Sequence, residues 1–469
     1  MKKLNIPITK FRDQLNEISP SFCAAKWQQV TLHLQTGHTH SCHHPRTHKV
    51  PLAELEKNPS ALHNTNYKKL QRKDMLEGVR PEECDYCWKV EDNPGGDGIS
   101  DRIYKSADSW ALNHITEITA KSWDHDVIPS YLEVSFSSVC NFKCSYCTPQ
   151  VSSKWMEEIE KYGAYPTSSR FGDLSWLKHN DAMPIPHREE NPYVDAFWKW
   201  FPEIYTKLEH FRITGGEPLL TKDTFKVLDY IIENPNPNLH FSINSNMCPP
   251  PELMNKFIEK IKIICSENKV KQFKIFTSAE AHGAQAEYIR HGLNYNEWLT
   301  NIRRILDEVP NCTFTVMSTY NLLSIFTFED LMKDILQIKM DYSNQNTVHS
   351  PIILDVPYLR YPHHQTIFNM DKRMLPYIYD QVTFIYKNLH HPDWYGTSNK
   401  GYYQWEADKF KRIYELALNT DDNREDIRIN RRDFIKFVDE HDIRRGTNFL
   451  KTFPQMEEFY HEWKALIPV

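Results

Sequence analysis

Between Tyr131 and Val356 the chain alternates short apolar strands with longer amphipathic segments, and this rhythm admits few folds. The pattern predicts strands at Tyr131–Phe136, Phe211–Thr214, His240–Asn244, Phe273–Ser278, Thr313–Met317 and Ile352–Val356. Between them it predicts helices near Val151–Tyr162, Ala196–Leu208, Asp223–Ile232, Glu252–Cys265, Glu297–Val309 and Phe328–Ile338. Repeated strand–helix units build a parallel sheet with its chemistry at the carboxyl ends of the strands. Six units fall short of the eight that close a full barrel, so the expected fold is α/β, a partial (β/α)6 barrel at 125–360. The segment Gly163–Pro192 breaks the rhythm and reads as an insertion after the first unit. Residues 1–110 are rich in His, Cys and Pro without clean periodicity, as in a small metal-stapled module. Residues 365–469 read as a helical C-terminal region.

Composition narrows the function classes. A net charge of −6 offers no basic face for a phosphate backbone, so nucleic acid is not an expected partner. No apolar run reaches the roughly 20 residues of a membrane helix. The first residues lack the apolar core of a signal peptide, so a cytoplasmic location is expected. In a reducing compartment clustered cysteines point to metal or redox chemistry, and seven of the ten fall into clusters. Cys248, Cys265 and Cys312 are scattered and read as small buried hydrophobes.

Cys140-Asn-Phe-Lys-Cys144-Ser-Tyr-Cys147 follows directly on the first barrel strand. Three thiolates can ligate three irons of a four-iron cubane and leave the fourth open to a substrate or cofactor. An all-cysteine zinc site would want a fourth ligand. This C-x3-C-x2-C loop after the first strand of a β/α domain resembles the signature of the radical S-adenosylmethionine (SAM) superfamily. The resemblance implies an enzyme with a [4Fe–4S] cluster on Cys140, Cys144 and Cys147, whose open iron is chelated by SAM. It also implies reductive cleavage of SAM to a 5′-deoxyadenosyl radical, with the electron coming from a partner such as flavodoxin or ferredoxin.

Later strand ends extend the resemblance. Gly215-Gly216-Glu217-Pro218 closes the second strand and resembles the motif that receives the SAM amino group. Asn244, at the end of the third, resembles side chains that reach the ribose or carboxylate of SAM. Ser278 and Glu280 end the fourth, where Glu280 is expected at the ribose hydroxyls. Arg290 resembles a helix-borne arginine that pairs the SAM carboxylate, against a plain solvated charge. Tyr146 resembles the aromatic neighbour of adenine, against a core tyrosine.

In front of the barrel, Cys23 precedes a possible hairpin, Gly37 and Cys42 are spaced G-x4-C, and Cys84 and Cys87 form C-x2-C. This pattern resembles the twitch and SPASM modules of radical SAM enzymes, which usually follow the barrel. The resemblance implies a second, auxiliary [4Fe–4S] cluster on these four thiolates, serving as electron acceptor. Zinc on Cys and His is the rival, because five histidines crowd around Cys42.

The expected function is therefore oxidative modification of a peptide or small-molecule substrate. Ser318, Thr319, Tyr320, Asn321, Asp355, Tyr358 and Arg360 are candidate substrate-facing residues. Two alternatives stand beside it. One is a redox-neutral epimerase or rearrangement enzyme, with Cys248 or Cys312 returning a hydrogen atom. The other is a non-catalytic iron–sulfur or zinc protein.

Overall fold

The computed structural model describes residues 6–343, 350–390, 400–420 and 424–467. Its strands are β1 (Gln29–His33), β2 (His38–His40), β3 (His48–Lys49), β4 (Tyr131–Ser135), β5 (Lys143–Cys144), β6 (His210–Thr214), β7 (Asn236–Asn244), β8 (Val270–Thr277), β9 (Arg290–His291), β10 (Cys312–Met317) and β11 (Ile352–Asp355). Nine form one sheet in the order β11-β10-β8-β7-β6-β4-β1-β2-β3. The six expected barrel strands are neighbours in chain order and all parallel. This is the arrangement of a partial α/β barrel.

Alternation along each strand sets the core. Phe211, Ile213, Phe241, Ile243, Phe273 and Ile275 are essentially fully buried, in one core cluster with helix residues such as Phe197, Leu228, Phe257 and Trp298. The helices themselves fall close to expectation, for example Lys222–Glu233 and Pro251–Ser266. The helix expected from Ala196 begins earlier, at Pro192. The Asn191 side chain accepts hydrogen bonds from the amides of Tyr193 and Val194, and proline suits the first helical turn.

The front segment is more deeply joined to the barrel than a separate module would be. β1 runs parallel to β4 and continues the sheet, so β4 has no open edge. β1 and β2 form the expected hairpin, with Gly37 at φ +66° in its turn. A side chain there would be strained and would strike the Tyr193 ring. The remaining front helices gather a small core of their own around Phe22, Trp27, Trp88, Ile103 and Trp110. Among the described residues no helix is long and apolar enough to cross a membrane.

Candidate active site

The three-cysteine loop leaves the carboxyl end of β4 and is pinned from several sides. Its middle forms β5, antiparallel to β9, with Lys143 opposite His291 and Cys144 opposite Arg290. Three consecutive carbonyls then receive side-chain donors. Arg445 donates to Lys143, the Trp155 indole to Cys144 at 2.8 Å, and Gln365 to Ser145 at 3.0 Å. Arg445 lies over the Trp155 ring and pairs with Glu158 at 3.1 Å, which also takes Lys143 at 2.7 Å. Two of the three carbonyl donors thus come from beyond β11. The C-terminal region grips the loop from behind as well as packing on the barrel.

Cys140, Cys144 and Cys147 face a cavity of about 410 Å³ that is also lined by Tyr146, Gly215, Gly216, Asn244, Ser278 and Arg290. Burial raises all three thiols above the ordinary cysteine range, Cys147 to about 12. Arg290 opposes this at Cys144, where its guanidinium lies 3.6 Å from the sulfur. Soft thiols on one loop, facing a shared cavity, can hold three irons of a cubane and leave one open.

The two glycines turn out to serve the protein before any ligand. A Cβ on Gly216 would lie 2.2 Å from the Val139 carbonyl oxygen, and one on Gly215 would lie 2.7 Å from the Ser135 hydroxyl. The turn therefore presses against the backbone that leads into the cysteine loop. Gly216→Ala is expected to cost about 1–3 kcal/mol of stability and to weaken SAM binding as the two loops separate. Unchanged melting and unchanged SAM affinity would contradict this close approach.

Two expected contacts are corrected. Glu217 does not line the cavity. It is buried, and its carboxylate accepts bonds from the Leu219 and Asn246 amides and the Ser245 hydroxyl, which shapes the β7 loop. Burial raises its pKa to about 7 against those three donors. Glu280 is fully buried as well, held by the Arg290 guanidinium at 2.7 and 2.6 Å and by the Tyr146 hydroxyl at 2.7 Å. These partners engage the carboxylate within the protein, where a ribose contact had been expected. Arg290 itself is not helix-borne: the helix Gly283–Ile289 ends before it and the chain continues as β9.

Of the substrate-facing candidates, Thr319 alone lines this cavity. Ser318, Tyr320 and Asn321 are buried beside it, and Asp355 pairs with Lys409 at 2.8 Å. Tyr358 faces a separate groove shared with Asp355, and the Arg360 guanidinium lies over the Tyr358 ring. Cys248 and Cys312 are buried and off the cavity wall. Met317 and Phe276 line it as well, and nothing in the strand pattern sets either apart from a core hydrophobe.

In the front segment, Cys23, Cys42, Cys84 and Cys87 are mutual neighbours. Burial first, then the Cys23 and Cys42 sulfurs, push Cys84 and Cys87 up to about 12. The buried Lys26 lies beside Cys84 and Cys42 and pairs with Glu83. The histidines there are engaged in packing. His40 bonds the Cys42 carbonyl and stacks on His33, while His44 pairs with Asp101 and stacks on Tyr86 at 3.7 Å. Among the described residues, no three His, Cys, Asp or Glu side chains converge on a single metal ion.

Residues 134–336 match the family model described as Radical SAM superfamily, and this span runs from β4 through the cysteine loop to the helix after β10. The chain carries a radical SAM domain. The chemistry of a [4Fe–4S] cluster and SAM is that of the family this domain matches. Curated relatives agree over a shorter stretch. GTP 3′,8-cyclase of Pasteurella multocida (strain Pm70) is 32% identical over 105 residues, covering 22% of this chain and 23% of that one. The enzyme of the same name from Vibrio cholerae serotype O1 (strain M66-2) is 31% identical over 105 residues, with the same coverage. That of Nautilia profundicola is 27% identical over 116 residues, 25% of this chain and 27% of that one. The chain spans about a quarter of the length of the curated relatives it matches.

Proposed function

We propose that the protein uses the radical SAM domain to oxidise a peptide or small-molecule substrate, with Cys23, Cys42, Cys84 and Cys87 holding an auxiliary [4Fe–4S] cluster. When bound, the first cluster and SAM supply a 5′-deoxyadenosyl radical, given one electron from a reducing partner such as flavodoxin or ferredoxin. Hydrogen abstraction by that radical would leave a substrate radical, and a cluster on Cys23, Cys42, Cys84 and Cys87 would accept its remaining electron as a proton leaves to solvent, a net two-electron oxidation. The setting is the cytoplasm.

The observation that carries this reading is strand register: Thr31 of β1 pairs with His40, two residues before Cys42, and with Glu133 at the centre of β4, so the hairpin that leads to Cys42 is continuous with the barrel sheet. An electron acceptor there would adjoin a substrate held in the barrel. Lys26 supports the same reading, since a buried ammonium beside Cys84 and Cys42 offsets part of the charge that thiolates there would carry. The match to the GTP 3′,8-cyclases supports radical chemistry, and its short span does not carry GTP across as the substrate.

Anaerobically reconstituted protein is expected to hold about eight irons per chain. Cys84→Ala with Cys87→Ala should lower this to about four while SAM cleavage persists. About four irons and one zinc in the unaltered protein would overturn the auxiliary cluster and leave the first one standing.

A further inference from the structure

The strand residues that alternate with the buried core set are polar, and they line up. Across adjacent strands Thr31 pairs with Glu133, Glu133 with Arg212, Arg212 with Ser242, Ser242 with Lys274, and Lys274 with Thr313. One rung of the barrel interior is therefore polar across six strands, where an unused interior would be filled with branched apolar side chains. Among the described residues, Thr31 Oγ1, Glu133 Oε2 and Thr313 Oγ1 are buried in it with no hydrogen-bond partner. Leaving such buried groups unmatched is unfavourable, because each has given up its water without gaining a partner.

The charges of the rung do not balance. Arg212 and Lys274 contribute two cations against one carboxylate, Glu133. Arg212 lies 4.0 Å from the centre of the Phe276 ring and Lys274 lies 5.8 Å from the same centre. Two like charges are thus gathered about one ring, and among the described residues no ion pair to a carboxylate is formed by Lys274. Burial, then the charge of Arg212, pulls the Lys274 pKa below its ordinary value. An anion between the two cations would relieve both effects.

The space around them suits a ligand in reach of the cluster. Arg212, Ser242, Lys274 and Phe276 border a cavity of about 160 Å³. Its floor is the stack of Tyr131, His210 and His240, with adjacent ring centres 5.4 and 4.8 Å apart. Burial lowers His210 to about 4, so that floor is uncharged at neutral pH. At the other end, Phe276 also lines the cysteine cavity, and Arg212 donates to Asn244 of its wall at 2.9 Å.

We propose that this rung is the substrate's anion site, in which Lys274 and Arg212 take a carboxylate or phosphate while Glu133, Thr31 and Thr313 bond polar groups beside it. The substrate is then an anionic, hydrogen-bonding molecule or peptide end, held below the position where the radical forms. This rests on the radical SAM reading of the cavity above it.

The test is calorimetric titration of the anaerobic holoenzyme, at low salt, with sodium tripolyphosphate and with glutarate. Binding of tripolyphosphate assigns a phosphate, and binding of glutarate a carboxylate. Whichever binds should weaken about tenfold or more in Lys274→Met and recover in Lys274→Arg. If neither binds the unaltered protein, or Lys274→Met binds as tightly, the site is overturned. Formation of 5′-deoxyadenosine without substrate separates the two readings. If it is present while no anion binds, the anion site alone fails; if it is absent, the radical reading beneath it fails.

Discussion

Changing Cys140, Cys144 and Cys147 to alanine is expected to remove about four irons per chain and to abolish 5′-deoxyadenosine formation. The reason lies in how completely the structure commits these residues to one cavity. The loop is fixed by β5 pairing with β9, by three side chains on consecutive carbonyls, and by the Gly215–Gly216 turn pressed against Ser137–Val139. No other thiol lines that cavity: Cys248 is buried and bonds the Asn294 carbonyl. The triple variant should still fold, because the loop is held by backbone and side-chain bonds that do not involve sulfur. Iron analysis and chromatography of the reaction mixture provide the check. Continued SAM cleavage at the unaltered rate would refute the assignment of this loop.

Arg445→Met is expected to destabilise the protein by roughly 3–5 kcal/mol, since it strips a buried carboxylate of its closest guanidinium. The side chains of Arg445 and Glu158 are 0% and 2% exposed. Burial alone would raise the Glu158 carboxyl, but Arg445, with Lys143 and Tyr165, holds it at about 2 against an ordinary 4.5. A folded-state pKa below the unfolded one stabilises the fold above about 4.5, and that contribution is lost as pH falls through about 2. The gap in stability between Arg445→Met and the unaltered protein should therefore be widest near neutrality and close toward pH 2. Urea denaturation across that range measures it, and a gap independent of pH would remove Glu158 from the explanation. The same variant frees the Lys143 carbonyl beside Cys144, so the cluster should be lost faster on dilution. Arg445→Lys restores the charge without the two-point hold and should recover stability better than cluster retention.

Much of the site was legible before any coordinates. C-x3-C-x2-C at the end of a strand and Gly-Gly-Glu-Pro at the end of the next are local patterns, each set by a few adjacent residues. Asn244 and Ser278 were legible as polar groups at later strand ends and Arg290 as a charged residue expected on a helix, and all three line the cavity. The roles of Glu217 and Glu280 were not. Whether a carboxylate meets a ligand or a neighbouring arginine depends on partners tens of residues away, such as Ser245 for Glu217 and Tyr146 for Glu280. Gln365 and Arg445 carried no signal at all. They lie about 220 and 300 residues from the carbonyls they hold, Gln365 in a single 3-10 turn and Arg445 at the end of a helix whose periodicity reports only burial.

The amino-acid sequence by itself determined the parallel α/β architecture, its six strands and the thiols at the end of the first. These follow from periodicity and short-range pattern, which act within one element or one loop. Only the tertiary structure decided that the front hairpin extends the barrel sheet, that the C-terminal helices grip the cluster loop, and that Arg212 and Lys274 share one interior rung. Each of those depends on strand register and on burial between distant segments. Such pairings depend on where the folded chain returns to itself, which no window of neighbouring residues contains.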